Sequence, residues 1–496
     1  MAEEAGIPLR PERLSDIAGR VPVPAYDRTQ VGTGIVHLGV GAFHRAHQAM
    51  YVDRLLDAGK ARDWGICGVG VLALDARMRD VMHEQDGLYT LVLKEADGTW
   101  TPRVIGSIVD YRFAPDDPEA VIERMADPTT RIVSLTVTEG GYNFNQVTGE
   151  FESANPDVVR DLEPGATPHT TFGLVTEALA RRRARGTGPF TVMSCDNIQH
   201  NGNLSRRMFV AFARLRDPEL ADWIERQVSF PNSMVDRITP ATTDEDRAEV
   251  RRRFGVDDGW PVVCEPFTQW VLEDSFVAGR PPFEDAGVQI VEDVAPYELM
   301  KLRLLNASHQ GIAYFGWLAG YRLVHDAAQD PLFARFLLAY MDREATPTLG
   351  DVPGIDLTAY KHQLIERFAN PGVRDTVARL AAFSSDRIPK WLVPVIREDL
   401  AAGRDVTLSA AIVASWARYA EGLDEQGEPI EIVDQLKDTL VPLAQRQAEE
   451  PLAFLTPREL FGDLKDDDRF TRPYLAALDS LHRHGARATL GGLVGG

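Results

Sequence analysis

The sequence predicts an α/β N-terminal domain with a mainly parallel sheet, followed by a mostly α-helical C-terminal domain, with a cleft between them. Three observations carry this. A chain of 496 residues is expected to form two domains rather than one. Over residues 33 to 200, β-rich runs alternate with helical ones, as they do in a mainly parallel sheet covered on both faces. Beyond about residue 290, long amphipathic stretches take over. The boundary therefore divides residues 1–290 from 291–496, and a junction of this kind is a favoured place for ligands.

Taken in order, the predicted strands are "GIVHLGV", "WGICGVGV", "YTLVLKE", "RIVSLTVTE" and "PFTVMSC". Between them, "HQAMYVDRLLDAG" and "FGLVTEALARRRARG" read as helices, each closing at a glycine. The second half supplies "YELMKLRLLNASHQGIAYFGWLAGYRLV", "PLFARFLLAYMDREA", "LTAYKHQLIERFA", "LSAAIVASWARYAEGL" and "IVDQLKDTLVPLAQRQ" as helices. The acidic run "LKDDDRF" reads as a solvated loop.

Composition narrows the function classes. Lys plus Arg total 53 against 74 Asp plus Glu, a net charge of −21, so the summed field repels nucleic acid and anionic membranes. Cys67, Cys195 and Cys264 fit no zinc or redox spacing and read as reduced thiols. The opening "MAEEAGIPLR" has no apolar core for a signal peptide, and no run is long enough to span a bilayer. A cytoplasmic protein is expected.

The stretch "IVHLGVGAFHRAHQ" puts Gly39 and Gly41 at the carboxyl end of the first strand, just before a helical run. Glycines there let the backbone approach a pyrophosphate, and a helix N-terminus offers free N–H donors. The third glycine of the G-x-G-x-x-G pattern is absent, since position 44 is His. The turn alone thus leaves a dinucleotide site and an ordinary strand end both open. His44 and His47 could share a helix face, but no carboxylate or thiol nearby completes a ligand set, so no metal is expected. After the second strand, Asp75 stands where a carboxylate would accept hydrogen bonds from an adenosine ribose and repel a 2′-phosphate. A surface-loop Asp is the alternative.

In "APYELMKLRLLNASHQGIAYFGW", Pro296 opens a helix. On a regular helix Lys301, Asn306 and His309 fall at roughly 0°, 140° and 80°, broadly one side. Leu302 and Leu305 share that arc, so it is not simply the solvated face. Burial beside leucines disfavours an ammonium and makes a lysine usable as a general base. Because Arg carries nearly all the positive charge of this chain, a Lys inside an apolar helix is not interchangeable charge. A snorkelling Lys beside a capping Asn and a core His remains the plainer alternative. Candidate partners are Asp196, Asn197 and His200 after the strand in "FTVMSCDNIQHNG", and Asn232, Asp236 and Arg237 in "FPNSMVDRITP".

Together, "GVGAFHRAHQ", "TEGGY", "FTVMSCDNIQHNG", "FPNSMVDRITP", "WPVVCEPFTQWVLED" and the K-x4-N-x2-H spacing from Lys301 to His309 resemble the polyol-specific long-chain dehydrogenase/reductase family. The resemblance covers most of the chain. It implies an α/β Rossmann-type N-terminal domain and a mostly α-helical C-terminal domain, with the active site in the cleft between them. It also implies a metal-free, NAD-dependent monomer that oxidises D-mannitol reversibly at C2 to D-fructose, with a polyol or ketose as its partner. The turn residues Val36, His37, Leu38, Gly39, Val40, Gly41, Ala42, Phe43, His44 and Arg45 then hold the cofactor, with Asp75 on the adenosine ribose. Lys301 matches the family's acid/base, and Asn197 and Asn306 the amides that steady the alkoxide. His309 and Asp236 match substrate-orienting positions, Arg379 a further sugar contact, and Glu298 a residue of the lysine's proton path.

One position departs from the pattern. Members with a Ser-Ser-Lys-hydrophobic-Pro-Lys run bind the sugar with its first lysine, whereas "SSDRIPK" puts Arg387 there. A guanidinium forks readily onto a carboxylate, which brings in a hexuronate such as fructuronate as the alternative substrate, beside arabinitol or sorbitol. A protein that senses NADH without turnover would keep the fold, but sensing needs no base beside two amide donors.

Overall fold

The computed structural model of the protein describes residues 6–144 and 149–495. The first five residues, part of the stretch read as lacking a signal peptide, lie outside them. The described chain divides into two compact units, one ending at Val294 and the other starting at Ala295.

The first unit is built on five parallel strands: β1 (Thr33–Leu38), β2 (Gly65–Gly70), β3 (Ile108–Phe113), β4 (Ile132–Leu135) and β5 (Thr191–Ser194). Their order across the sheet is β3-β2-β1-β4-β5. The chain runs outward from β1 to β3, then returns to the other side of β1 as β4. That reversal opens a crevice at the carboxyl ends of β1 and β4, where open α/β sheets bind ligands. The Rossmann-type expectation holds.

Helices cover both faces. After β1 come α1 (Ala42–Ala46) and α2 (Gln48–Asp57), and after β2 comes α3 (Ala76–Glu84). α4 (Pro118–Ala126), α5 (Thr171–Arg185) and α6 (Asn201–Arg216) follow β3, β4 and β5. Thr170 starts α5 by accepting the Gly173 N–H, and Gly186 ends it at φ 71°, a left-handed cap that needs no Cβ. One apolar core joins α4, α5 and α6 to the sheet, and a second lies under α2 and α3.

Two elements of this unit differ from the sequence reading. Tyr89–Lys94 lies outside the parallel sheet, pairing antiparallel with Trp100–Ile105 and parallel with Val262–Cys264. The third strand of the sheet is instead "IVDYRF", whose polar residues at every second position conceal it in the sequence.

The second unit is helical. Its central element, α7, runs from Ala295 to Leu318, with a π-turn over Lys301–Asn306. Around it lie α8 (Pro331–Tyr340), α9 (Leu357–Phe368), α10 (Ser384–Trp391), α11 (Val393–Ala401), α12 (Thr407–Tyr419) and α13 (Asp468–Val494). α7 is buried on all sides beyond Asn306. A Cβ on Gly311 would press against Leu337 of α8 at 3.2 Å, so the glycine lets the helices close up. The acidic run near residue 467 is no plain loop. Asp467 accepts the Arg469 N–H at 2.9 Å and starts α13, the role short acidic side chains serve at helix N-termini. No described helix is long and apolar enough to cross a membrane.

Candidate active site

In the first unit the site is made by backbone. β1 ends at Leu38, and Gly39 turns the chain at φ 94°, a region that suits glycine. A Cβ there would run into the carbonyl oxygen of Thr136, at the end of β4. Gly39 thus lets β1 and β4 approach at the switch point, where the Thr136 N–H donates to Leu38, while the Gly39 N–H donates to Val69 of β2. Gly41 differs. Its φ is ordinary at −86°, and an added Cβ would meet nothing within 4 Å, so its bare backbone faces open space that a phosphate group can enter. The helix that follows is short, because the chain breaks at His47 (φ −124°, ψ −94°) after five residues.

The turn's polar side chains point inward. The rings of His37 and His44 stack at 3.4 Å, both buried. His37 bonds Ser134 and Thr136, while neither ring nitrogen of His44 has a hydrogen-bond partner among the described residues. Burial keeps both neutral, pushing His37 down to about 3 and His44 well below the usual histidine range. Arg45, also buried, donates to the Trp260 carbonyl at 2.5 Å and lies over the Tyr89 ring. Val36 and Leu38 are core residues of the sheet.

A cavity of about 490 Å³ opens beyond the carboxyl ends of β2, β3 and β4. Leu72, Ala73, Pro115 and Gly140 form one wall, and Asn155, Arg160 and His169 another. Asp75 lies two residues beyond Ala73. One of its oxygens accepts the Leu72 N–H at 3.1 Å, which leaves the other able to meet a ligand. Tyr111 adds a buried hydroxyl against Gly70 that has no hydrogen-bond partner among the described residues. A glycine turn, a neighbouring cavity and a carboxylate after the second strand fit a dinucleotide. Sequence reasoning missed the outer wall and Tyr111. The wall comes from the excursion between β4 and α5, which carries no periodic signal.

Asn197 stands exposed just past β5, beside buried Asp196. The Asp196 carboxylate accepts N–H groups from Val137 (3.1 Å) and Thr138 (2.8 Å) and the Tyr142 hydroxyl (2.8 Å). It thereby ties the loop after β4 to the loop after β5. Thr138 sits at φ 61°, a strained conformation for a β-branched residue and one that marks a constrained site. Buried Asp236 ends the strand Ser233–Asp236, and Arg237 after it donates to the Ala46 carbonyl at 2.6 Å.

In the second unit the site is made by side chains on α7. Glu298, Lys301, Asn306 and His309 are all buried. The π-turn changes the angular reading. Ala307 donates five residues back, to the Leu302 carbonyl. Such a turn advances about 80° per residue rather than 100°, bringing Asn306 to roughly 40° from Lys301 and His309 to within about 20°. The three share a narrower face than the roughly 140° arc read from a regular helix. Asn306 Oδ1 has no hydrogen-bond partner among the described residues, a buried acceptor suited to take a hydrogen bond from a substrate hydroxyl. The His309 ring lies 4.6 Å from that of Phe368.

The two predicted arginines meet. Arg387 donates to the carbonyls of Arg379 (3.0 Å) and Leu380 (2.9 Å), and the exposed Arg379 pairs with Asp375 at 2.6 Å. Tyr314 of α7 bonds Ser384 of α10 at 2.6 Å, so the lysine helix and the Arg387 helix are joined. Among the described residues, no three His, Cys, Asp or Glu side chains gather as metal ligands would.

The mannitol dehydrogenase Rossmann domain model matches residues 33–285, and the mannitol dehydrogenase C-terminal domain model matches residues 293–482. A mannitol 2-dehydrogenase of Phaeosphaeria nodorum is 48% identical over 98% of this chain and 86% of its own length. That of Pyricularia oryzae is 46% identical over 97% of this chain and 98% of its own. Among solved structures, Pseudomonas fluorescens mannitol 2-dehydrogenase in a ternary complex with NAD and D-mannitol superposes with a TM-score of 0.88 at 45% identity, covering 99% of this chain and all (100%) of that one. A substrate-free D-sorbitol dehydrogenase superposes at 0.91 and 39% identity, covering 98% and 100%.

Proposed function

This chain belongs to the mannitol dehydrogenase family, and on that premise we propose that it interconverts D-mannitol and D-fructose at C2 with NAD, without a metal. The observation that carries the reading is the buried π-turn, which lines up Lys301, Asn306 and His309 on one face. A base, an amide and an imidazole so arranged serve a hydroxyl that must lose its proton as its carbon loses a hydride.

The Gly39–Gly41 turn and the cavity beside Leu72 and Ala73 would hold the cofactor, with Asp75 on the adenosine ribose. When bound, NAD supplies the carbon that accepts or returns the hydride. The chain does the rest. Lys301 Nζ takes the C2 hydroxyl proton in oxidation and gives it back in reduction, and Glu298 passes that proton onward. Amide N–H groups of Asn197 and Asn306 steady the negative oxygen, each contributing about 3 kcal/mol by analogy with oxyanion sites. His309 and Asp236 orient the polyol, and Arg379 and Arg387 hold its far end. The protein acts as a cytoplasmic monomer, and its charge of −21 supports a neutral polyol over polyanionic partners.

Arg387 favours a second reading, a hexuronate whose carboxylate would meet its guanidinium. Likeness to a D-sorbitol dehydrogenase favours a third, another hexitol. The acid/base assignment is common to all three. It is tested by Lys301→Ala: turnover falls about 10³-fold while NADH still quenches protein fluorescence on binding. Near-normal turnover would remove Lys301 from the mechanism. Loss of activity in a chelator, restored by zinc, would replace it with a metal enzyme.

A further inference from the structure

We propose that Tyr340, Arg303 and Glu398 clamp the π-turn of α7 and are positioning residues for Lys301 and Asn306. The inference rests on the acid/base reading of Lys301. It starts from a ladder that has slipped. In a regular helix every N–H reaches four residues back, but Ala307 reaches five, to Leu302. Where the ladder returns to its normal step, one carbonyl is passed over. The Arg303 carbonyl is next in line, and Tyr340 at the end of α8 donates its hydroxyl to it at 3.2 Å. Tyr340 is fully buried, so no water replaces that donor.

The side chain of Arg303 is fixed as well. Its guanidinium donates to the Thr348 carbonyl at 2.6 Å and forks onto Glu398 of α11 at 2.6 and 2.8 Å. One residue in the middle of the π-turn is thus held through both its backbone and its side chain. The holders are themselves anchored. Tyr340 leads into a second π-turn, Met341–Ala345, where Thr346 donates back to Met341. Within that turn the buried Glu344 carboxylate accepts the Leu408 and Ser409 N–H groups, both at 2.7 Å, capping α12.

The clamp matters because the π-turn sets the angle between the two reacting groups. If it relaxed to a regular helix, Lys301 would swing by roughly 100° relative to Asn306. Proton acceptor and alkoxide donor would no longer face the same oxygen. Tyr340→Phe keeps the ring and deletes only the hydroxyl, and Glu398→Gln removes the charge from a half-exposed position.

The test is steady-state kinetics of both variants beside wild type and Lys301→Ala, with the pH dependence of polyol oxidation. Tyr340→Phe is expected to lose about tenfold in kcat with KM for NADH unchanged. The pH at half-maximal oxidation rate should move upward, as a displaced Lys301 regains solvent. Glu398→Gln should shift both in the same direction, by less, and decides the matter on its own if Tyr340→Phe does not fold. Wild-type kcat and pH profile in both variants, with only a lower Tm, would reduce the clamp to ordinary packing and overturn the proposal. In that case an inactive Lys301→Ala leaves the acid/base reading standing, whereas an active Lys301→Ala overturns both.

Discussion

The glycine turn of the first unit and the π-turn of the second solve the same problem with opposite means. At Gly39 and Gly41 the proposed functional surface is bare backbone, and what matters is the absence of side chains. At Lys301, Asn306 and His309 it is three buried side chains, and what matters is the angle between them. A backbone site is specified locally, by a positive φ and an open space, whereas a side-chain site depends on whatever holds the helix out of its regular form. The first is therefore fragile to any added atom, and the second to changes in residues that touch no ligand.

That contrast is sharpened first at Gly39. Gly39→Ala adds a methyl at φ 94° that collides with the Thr136 carbonyl, and it should cost about 4 kcal/mol in stability with loss of NADH binding. Thermal melts and NADH fluorescence titration read both, and normal NADH affinity would mean the turn does not hold the cofactor. Asn306→Ala should do the reverse. A loss of about 10²-fold in kcat is expected with NADH affinity intact, because an amide that serves only the alkoxide leaves cofactor binding alone.

A smaller effect is expected from the histidine stack beneath the turn. His37 and His44 are neutral when folded, with pKa values lowered from the usual 6.5, to about 3 for His37. An unfolded chain binds protons at these sites that the folded one refuses. The stability they give is fully present above pH 6.5 and is lost as pH falls toward 3. His44→Phe keeps a stacked ring without titration. Unfolding free energies from denaturant melts between pH 6 and 4 should then fall less steeply, by about 1.4 kcal/mol per pH unit. An unchanged slope would show that His44 does not resist protonation. Mildest of all, Asp75→Ser should raise the rate with NADPH several-fold, as the repulsion of a 2′-phosphate goes, and raise KM for NADH modestly, as a carboxylate acceptor for the adenosine ribose is lost.

How far each half could be read in advance follows the same division. Gly39, the strand before it and the Thr170-to-Gly186 helix are local patterns, and they stand in the sequence as they stand in the fold. The Ile108–Phe113 strand escaped notice because Asp110 and Arg112 interrupt its apolar run. Tyr89–Lys94 has a good strand pattern, but which sheet it joins is decided by pairing with residues as distant as Val262. The longest helix, Asp468–Val494, is hidden by Pro473 and by the kink at Gly485. Lys301, Asn306 and His309 were legible as residues but not as a geometry. Nothing in "KLRLLN" forecasts a π-turn, since Tyr340 and Glu398 lie 37 and 95 residues away in the chain.

The central claim is a polyol dehydrogenase specific for NAD, and the most direct test is the initial rate of NADH oxidation with D-fructose and D-fructuronate side by side, each repeated with NADPH. The account predicts a rapid rate with D-fructose and NADH, a slow one with D-fructuronate, and little use of NADPH. A preference for D-fructuronate would contradict it, and would mean that Arg387 recognises a carboxylate.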